Sequence, residues 1–223
     1  MKTTNNRKGF TLIELLIVIA IIAVLATVVI LSLNPAELLR QARDSNRVSD
    51  MATLKSTIAL YLADVASPSL GTPNTCYLDM ATTTATWDTP DTSGNYAATS
   101  TCQGWMPQAT AGVIASSTRG IGSGTSTVNG WIPIDFAAIS SGAPIGQEPV
   151  DPVNQEGSGC TGASPALSNC GLFYTYEPGS GSTYKIAAFM ESARYAHGGS
   201  NDVVTNDGGV NPYVYEQGTG LSL

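Results

Sequence analysis

The sequence predicts an α+β protein: a long amino-terminal helix, half membrane-spanning and half amphipathic, packed on a carboxy-terminal antiparallel β-sheet. Three observations predict this fold. An almost continuous apolar run comes first, a stretch with apolar residues at helical spacing follows it, and two strand-like runs joined by a turn lie near the end. The 223 residues divide accordingly into a leader at 1–9, a span at 10–33, the amphipathic half of the same helix at 34–66, and a globular head at 67–223.

The apolar run from Phe10 to Leu33 is long enough to cross a bilayer, because 24 helical residues extend about 36 Å against about 30 Å of hydrocarbon. Basic residues before the run, Lys2, Arg7 and Lys8, place the amino terminus on the cytoplasmic side. The run exceeds the core of a cleaved secretory signal, and no clear small-x-small cleavage site follows it.

Glu14 is the one ionisable residue in this run. A carboxylate within a membrane is costly and usually has a partner, but the next basic residue after Lys8 is Arg40. Cleavage after Gly9 would create an amino group on Phe10 that could pair with Glu14 of a neighbouring chain. A simple signal anchor would explain the apolar run but not Glu14.

The stretch "KGFTLIELLIVIAIIAVLA" resembles the class III signal of type IV pilins and the related pseudopilins. The resemblance implies the pilin fold, with prepilin peptidase cutting after Gly9 and methylating the new amino terminus of Phe10. It also implies that Glu14 acts in filament assembly. One departure concerns proline: many pilins have one inside the apolar segment, whereas the first proline here is Pro35, so we expect any kink at the membrane exit.

The second half of the helix has an apolar stripe that predicts packing on a sheet. Its members are Val48, Met51, Leu54, Ile58, Leu62 and Val65. We assign the charged residues to the opposite face: Arg40, Arg43, Asp44, Arg47, Asp50 and Asp64. Prolines and a glycine in "ASPSLGTP" at 66–73 end the helix.

Residues 71–130 are rich in Thr, Ser, Ala and Gly and show few strand-like runs, which predicts a loop region held by disulfides. The cysteines are even in number, and only one histidine is present, which argues against a zinc site. Four cysteines allow three pairings. Local loop closure favours Cys76–Cys102 and Cys160–Cys170, and buried free thiols are the alternative.

The stretch "GLFYTYEPGSGSTYKIAAFMES" predicts a hairpin of residues 172–177 and 183–191. With the Asp-Pro turn before it, this stretch is similar to the carboxy-terminal hairpin of pilin and pseudopilin domains. The tail that follows contains clustered oxygen-bearing side chains, which can bind Ca²⁺ but are also ordinary turn formers. These weak calcium candidates are Asn201, Asp202, Asn206 and Asp207; we expect no other cofactor or metal.

Neither catalysis nor nucleic-acid binding is predicted. The single histidine, His197, has no marked nucleophile beside it. Beyond Gly9 the chain carries seven basic residues against 17 acidic residues, a net charge of −10, which argues against binding polyanions.

The resemblance implies a structural subunit of a type IV pilus or a similar filament for adhesion, motility or DNA uptake. Its expected partners are copies of itself, prepilin peptidase and the assembly machinery of the inner membrane. Before assembly it would lie in the cytoplasmic membrane, and afterwards in an extracellular filament. Two alternatives stay open: a pseudopilin of a type II secretion system, and a monomeric membrane-anchored binding module.

Overall fold

The computed structural model describes residues 9–80, 87–90, 96–99, 112–122, 130–155 and 171–223. The chain forms two compact units, Met1–Leu39 and Arg40–Leu223. The first contains the apolar helix, and the second contains the sheet and most of the amphipathic helix. Each unit is described by itself.

Helix α1 spans Leu12–Leu33 and ends at Asn34, which adopts a left-handed conformation (φ 41°, ψ 71°). Asparagine tolerates this conformation better than most residues, and a left-handed residue is a common helix stop. Helix α2, Pro35–Asp64, starts at once. Its first turn is formed by the backbone N–H groups of Glu37 and Leu38, which donate to Asn34 O at 3.0 and 3.3 Å. The interruption thus lies at the residue before the first proline.

Helix α2 buries one side in the second unit. Met51, Leu54, Ile58 and Tyr61 are at most 4% exposed, at the spacing of one helical face. The predicted stripe is confirmed for the first three of these, and Val48, Leu62 and Val65 lie partly buried against the same core. The charged side was predicted wrongly in part, because Asp44 and Arg47 are fully buried.

The main sheet has five strands, in the spatial order β4 (Gly112–Ala115), β1 (Thr75–Leu78), β5 (Tyr174–Pro178), β6 (Tyr184–Phe189) and β7 (Val214–Gly218). Strands β5 and β6 form the predicted antiparallel hairpin, and β7 continues it antiparallel to β6. On the other side, β1 is antiparallel to β5 and parallel to β4. The predicted α+β fold is therefore confirmed, with one parallel pair in a mostly antiparallel sheet.

Strands also occur where the sequence predicted mainly loops. Besides β1 and β4, Trp87–Pro90 (β2) pairs with Tyr96–Thr99 (β3) in a separate two-stranded sheet. Strand β1 is short and buried at all four positions, so it lacks the alternation of a half-exposed strand. The burial of β1 depends on partners that are distant in the sequence, so the local sequence did not predict this strand.

The core lies between α2 and one face of the sheet. Alternate residues of the hairpin face it, Tyr174 and Tyr176 from β5 and Tyr184 and Ile186 from β6, each at most 1% exposed. Trp131 packs against Tyr174 with ring centroids 6.4 Å apart. The Tyr174 hydroxyl reaches the edge of the core and donates to Asp50 Oδ2 at 2.7 Å. The Tyr174 ring is thus packed in the core while its hydroxyl has a hydrogen-bond partner.

Candidate processing and assembly site

The peptide bond after Gly9 precedes the first helix. Gly9 and Phe10 are outside regular secondary structure and exposed, and Phe10 is 85% exposed. Apart from its two chain neighbours, no atom of the described residues lies within 4 Å of the point where a side chain on Gly9 would begin. This part of the chain therefore leaves room for a larger residue at position 9.

Thr11 and Glu14 form a capping box at the start of α1. The Glu14 backbone N–H donates to Thr11 Oγ1 at 3.2 Å, and Glu14 Oε2 accepts from the Thr11 backbone N–H at 2.8 Å. The Thr11 hydroxyl also donates to Glu14 Oε2, at 2.7 Å. Backbone donors at a helix start lack intrahelical acceptors, and this reciprocal arrangement satisfies two of them.

The capping box gives Glu14 a local role that the sequence interpretation missed. The signal was present, because Thr-x-x-Glu before an apolar run is the usual pattern of such a box. The negative charge also lies at the helix end where the macrodipole favours it. Glu14 would therefore still cap the helix in a protein that serves only as a membrane anchor.

Helix α1 is apolar on all sides and uncovered in its own unit. Its large apolar side chains between Leu12 and Ile30 are 47–80% exposed. In the part of the chain that the structure describes, Leu12–Ile30 is the one segment long and apolar enough to cross a membrane, with a mean hydropathy of 3.1. By length and composition, this helix suits a lipid environment.

Residues 4–30 match the family model described as a prokaryotic N-terminal methylation motif. The amino-terminal segment of the chain is therefore type IV pilin-like. The match covers Gly9, Phe10 and Glu14, the residues that carry the class III signal resemblance. It is consistent with membrane anchoring of the chain before any assembly. No solved structure shows significant similarity to the chain.

In the head, buried charges surround Arg47. Its guanidinium donates to Asp151 Oδ2 and Oδ1 at 2.6 and 2.9 Å, to Asp44 Oδ1 at 2.7 Å and to Glu191 Oε1 at 2.8 Å. Arg43 adds two bonds to Glu191 at 2.5 and 2.7 Å. We call these five residues the Arg47 network. It joins α2 to the ends of two distant segments of the head.

The Arg47 network favours the charged forms of Arg47 and Glu191. Burial alone would lower the pKa of Arg47, but its carboxylate partners raise it above the ordinary value. Burial likewise opposes ionisation of Glu191, yet the bonds from Arg43 and Arg47 lower its pKa. Burial raises the pKa of nearby Asp79 to about 8, although its carboxylate accepts the N–H groups of Asp151 and Tyr174.

The calcium candidates of the tail lie in a loop where two of them bind backbone. Asp202 accepts from the N–H groups of Gly198, Val204 and Thr205 at 2.8–3.0 Å. Asp207 accepts from Gly209 N and Glu216 N at 2.7 and 2.6 Å, and burial raises its pKa to about 6. Among the described residues, no group of three or more His, Cys, Asp or Glu could hold a metal ion.

His197 lies in the same loop. Its Nδ1 is 2.9 Å from Thr205 Oγ1, and its ring packs on Tyr213 with centroids 4.5 Å apart. Since Thr205 Oγ1 donates to Asp202 Oδ2 at 2.7 Å, it is free to accept from the histidine. This side chain thus helps to order the loop.

The disulfides stay a prediction. Cys76 is buried in β1, whereas Cys102, Cys160 and Cys170 lie outside the described residues. We expect non-reducing peptide mapping of exported protein to give one peptide pair linking Cys76 to Cys102 and another linking Cys160 to Cys170. Each closed loop should stabilise the head by about 2–4 kcal/mol. Cross-pairing, or thiols that react with an alkylating agent in the folded protein, would contradict this pairing.

Proposed function

We propose that this pilin-like protein is a structural subunit of a type IV pilus or a similar filament. Prepilin peptidase cuts it after Gly9 and methylates Phe10, and the inner-membrane assembly machinery then moves it from the cytoplasmic membrane into an extracellular filament. The methylation motif at residues 4–30 supports the processing step. The role of the protein is structural and not enzymatic.

The observation that carries this proposal is the exposure of α1. A helix that is apolar on every side needs an apolar environment all around it. Lipid provides this before assembly, and a bundle of α1 helices from other subunits provides it in a filament core. Such a bundle would bring the Phe10 amine of one subunit to Glu14 of another, where the low dielectric strengthens their attraction.

Two alternatives lead to different observations. A secretion pseudopilin would share processing and assembly but would form short structures tied to secretion. A monomeric anchored binding module would stay in the membrane, with Glu14 serving only the capping box. Electron microscopy of sheared surface material, with mass spectrometry of its main component, separates these. Long filaments built of this chain support the pilus, and their absence with abundant membrane protein supports the anchor.

Processing after Gly9 can be tested directly. We expect the mature chain to have 214 residues and to begin with N-methylated Phe10. Gly9→Val should remain uncut in the membrane, because the chain has space for the side chain and only the peptidase would reject it. Gly9→Ala, the smallest change, is the matched control. Intact-mass analysis showing Met1 in the wild-type surface protein, or a cut after Leu33, would rule out this step.

A further inference from the structure

Glu148 joins three segments of the head: 116–122, 130–134 and 148–151. Its backbone N–H donates to Arg119 O at 3.0 Å, and its carbonyl accepts from Arg119 Nε at 2.9 Å. Its side chain is fully buried, and Oε2 accepts from the N–H groups of Trp131 and Ile132 at 2.7 and 3.0 Å. Glu148 thus connects its own segment to each of the other two.

The other carboxyl oxygen, Glu148 Oε1, is buried and has no hydrogen-bond partner among the described residues. Oε1 and the partly buried Gly120 carbonyl oxygen border the same place beside Gly130, because each lies 2.5 Å from the position that a Cβ atom on Gly130 would occupy. A buried, ionised oxygen without a donor is unfavourable. A proton on Oε1 would make it a donor on the side that Gly120 borders.

Among the described residues, the hydrogen-bond partners of the Glu148 carboxylate are backbone N–H groups and not cations. Arg119, on the facing segment, directs its Nε to the Glu148 backbone. Tyr176 of β5 is uncharged at neutral pH, and Asp50 of α2 accepts from Tyr174. Segment 123–129 contains no charged residue. Burial raises the pKa of Glu148 to about 8, against the opposing effect of the Ile132 and Trp131 N–H groups.

We propose that Glu148 is a pH-sensitive latch: a neutral carboxylic acid whose proton on Oε1 holds segments 116–122, 130–134 and 148–151 together. Loss of this proton leaves a buried anion and loosens the three segments. Trp131, which packs under the latch, becomes more accessible when it opens. This device is a property of the head and does not depend on the filament proposal.

The pH dependence follows from the proton that the folded state retains. An unfolded glutamate releases its proton near its ordinary pKa, whereas the folded head retains it to about pH 8. The stabilisation is therefore complete below the ordinary pKa and is lost as the pH rises to about 8, where it levels off. For one proton, the unfolding equilibrium constant should rise by up to about tenfold per pH unit between roughly pH 5 and 8.

The test compares full-length wild-type protein with Glu148→Gln in detergent, by urea unfolding followed through tryptophan fluorescence from pH 5 to 9. Glutamine has the shape of the neutral acid, with an amide donor for Gly120 and an oxygen for Trp131 and Ile132. We expect its plot of log unfolding constant against pH to be shallower than the wild-type plot by up to about one proton. Asp135→Asn, a partly exposed acid of the same region, should leave the slope unchanged.

Two results would overturn the latch. Parallel plots for wild type and Glu148→Gln would mean that Glu148 retains no extra proton on folding. Equal loss of stability in Glu148→Gln and Glu148→Ala at pH 5 would mean that a neutral group of this shape does not fit the site. A shallower slope together with near wild-type stability of Glu148→Gln at pH 5 supports it.

Discussion

Glu14→Ala should process normally but assemble no filaments. The change makes α1 more apolar, so membrane insertion should be as efficient as in the wild type, and the cut after Gly9 lies outside the altered pair. The change lies outside the compact unit Arg40–Leu223, so the head should retain its stability. In the proposed bundle, the Phe10 amine of a neighbouring subunit pairs with Glu14. Without Glu14 this amine would be buried unpaired, which costs the assembled state about 3–5 kcal/mol. Filament yield should then fall by on the order of a hundredfold or more.

Glu14→Gln distinguishes the two roles of this side chain. Glutamine can replace glutamate in a capping box, so the bonds to Thr11 would remain while the charge is lost. We expect Glu14→Gln to fail in assembly as Glu14→Ala does. The measurements are precursor processing, membrane level and sheared filament mass for the three proteins. Normal filaments from Glu14→Gln alone would make the capping box the relevant function, and normal filaments from Glu14→Ala would mean that the carboxylate has no role in assembly.

Arg47→Met should destabilise the head by about 3–5 kcal/mol, the largest stability effect that we expect from a single substitution here. Methionine fills similar space, but Asp44, Asp151 and Glu191 would lose the cation they share. Urea unfolding at pH 7 measures the loss. Arg43→Met is the matched control: the Arg43 side chain is 32% exposed and donates to Glu191, so its removal should cost about 1 kcal/mol.

The pH dependence of Arg47→Met gives a second test. Without the guanidinium, the buried carboxylates should have raised pKa values, so protonation becomes easier in the folded state than in the unfolded state. The deficit relative to wild type should therefore shrink as the pH falls from 7 toward 4. A deficit that is constant across this range would mean that lost packing, and not uncompensated charge, explains the effect.

The fold was predictable where local pattern determines it. The hairpin of β5 and β6 followed from alternation around a turn, and the buried face of α2 followed from the spacing of Met51, Leu54 and Ile58. The parallel pairing of β1 with β4 was not predictable, because it depends on contacts between residues far apart in the sequence. The same limit applies to Arg47. The position of Arg47 on the helix predicted that its side chain faces solvent. Its burial depends on Asp151 and Glu191, which are over a hundred residues away in the sequence.

The candidate site was predictable from residues that lie next to each other in sequence. Gly9, Phe10 and Glu14 belong to one short motif. The capping box was readable from the same stretch, since Thr11 and Glu14 are separated by three positions. The latch residue Glu148 was not, because an isolated glutamate gives no sign of the space it shares with Gly120 and Gly130.

The carboxylate of Asp207 has a consequence for how this protein can polymerise. Strand β7 is an outer strand of the sheet, and an outer strand with free N–H groups invites another chain to add to it. Here Asp207 accepts the Glu216 N–H, and the Asn211 carbonyl accepts the Val214 N–H at 3.4 Å. The returning loop thus takes two of the positions at which a foreign strand would bond. This edge is therefore protected against strand addition by a neighbouring copy, and a filament of the kind proposed would have to form through other surfaces, such as the apolar helices.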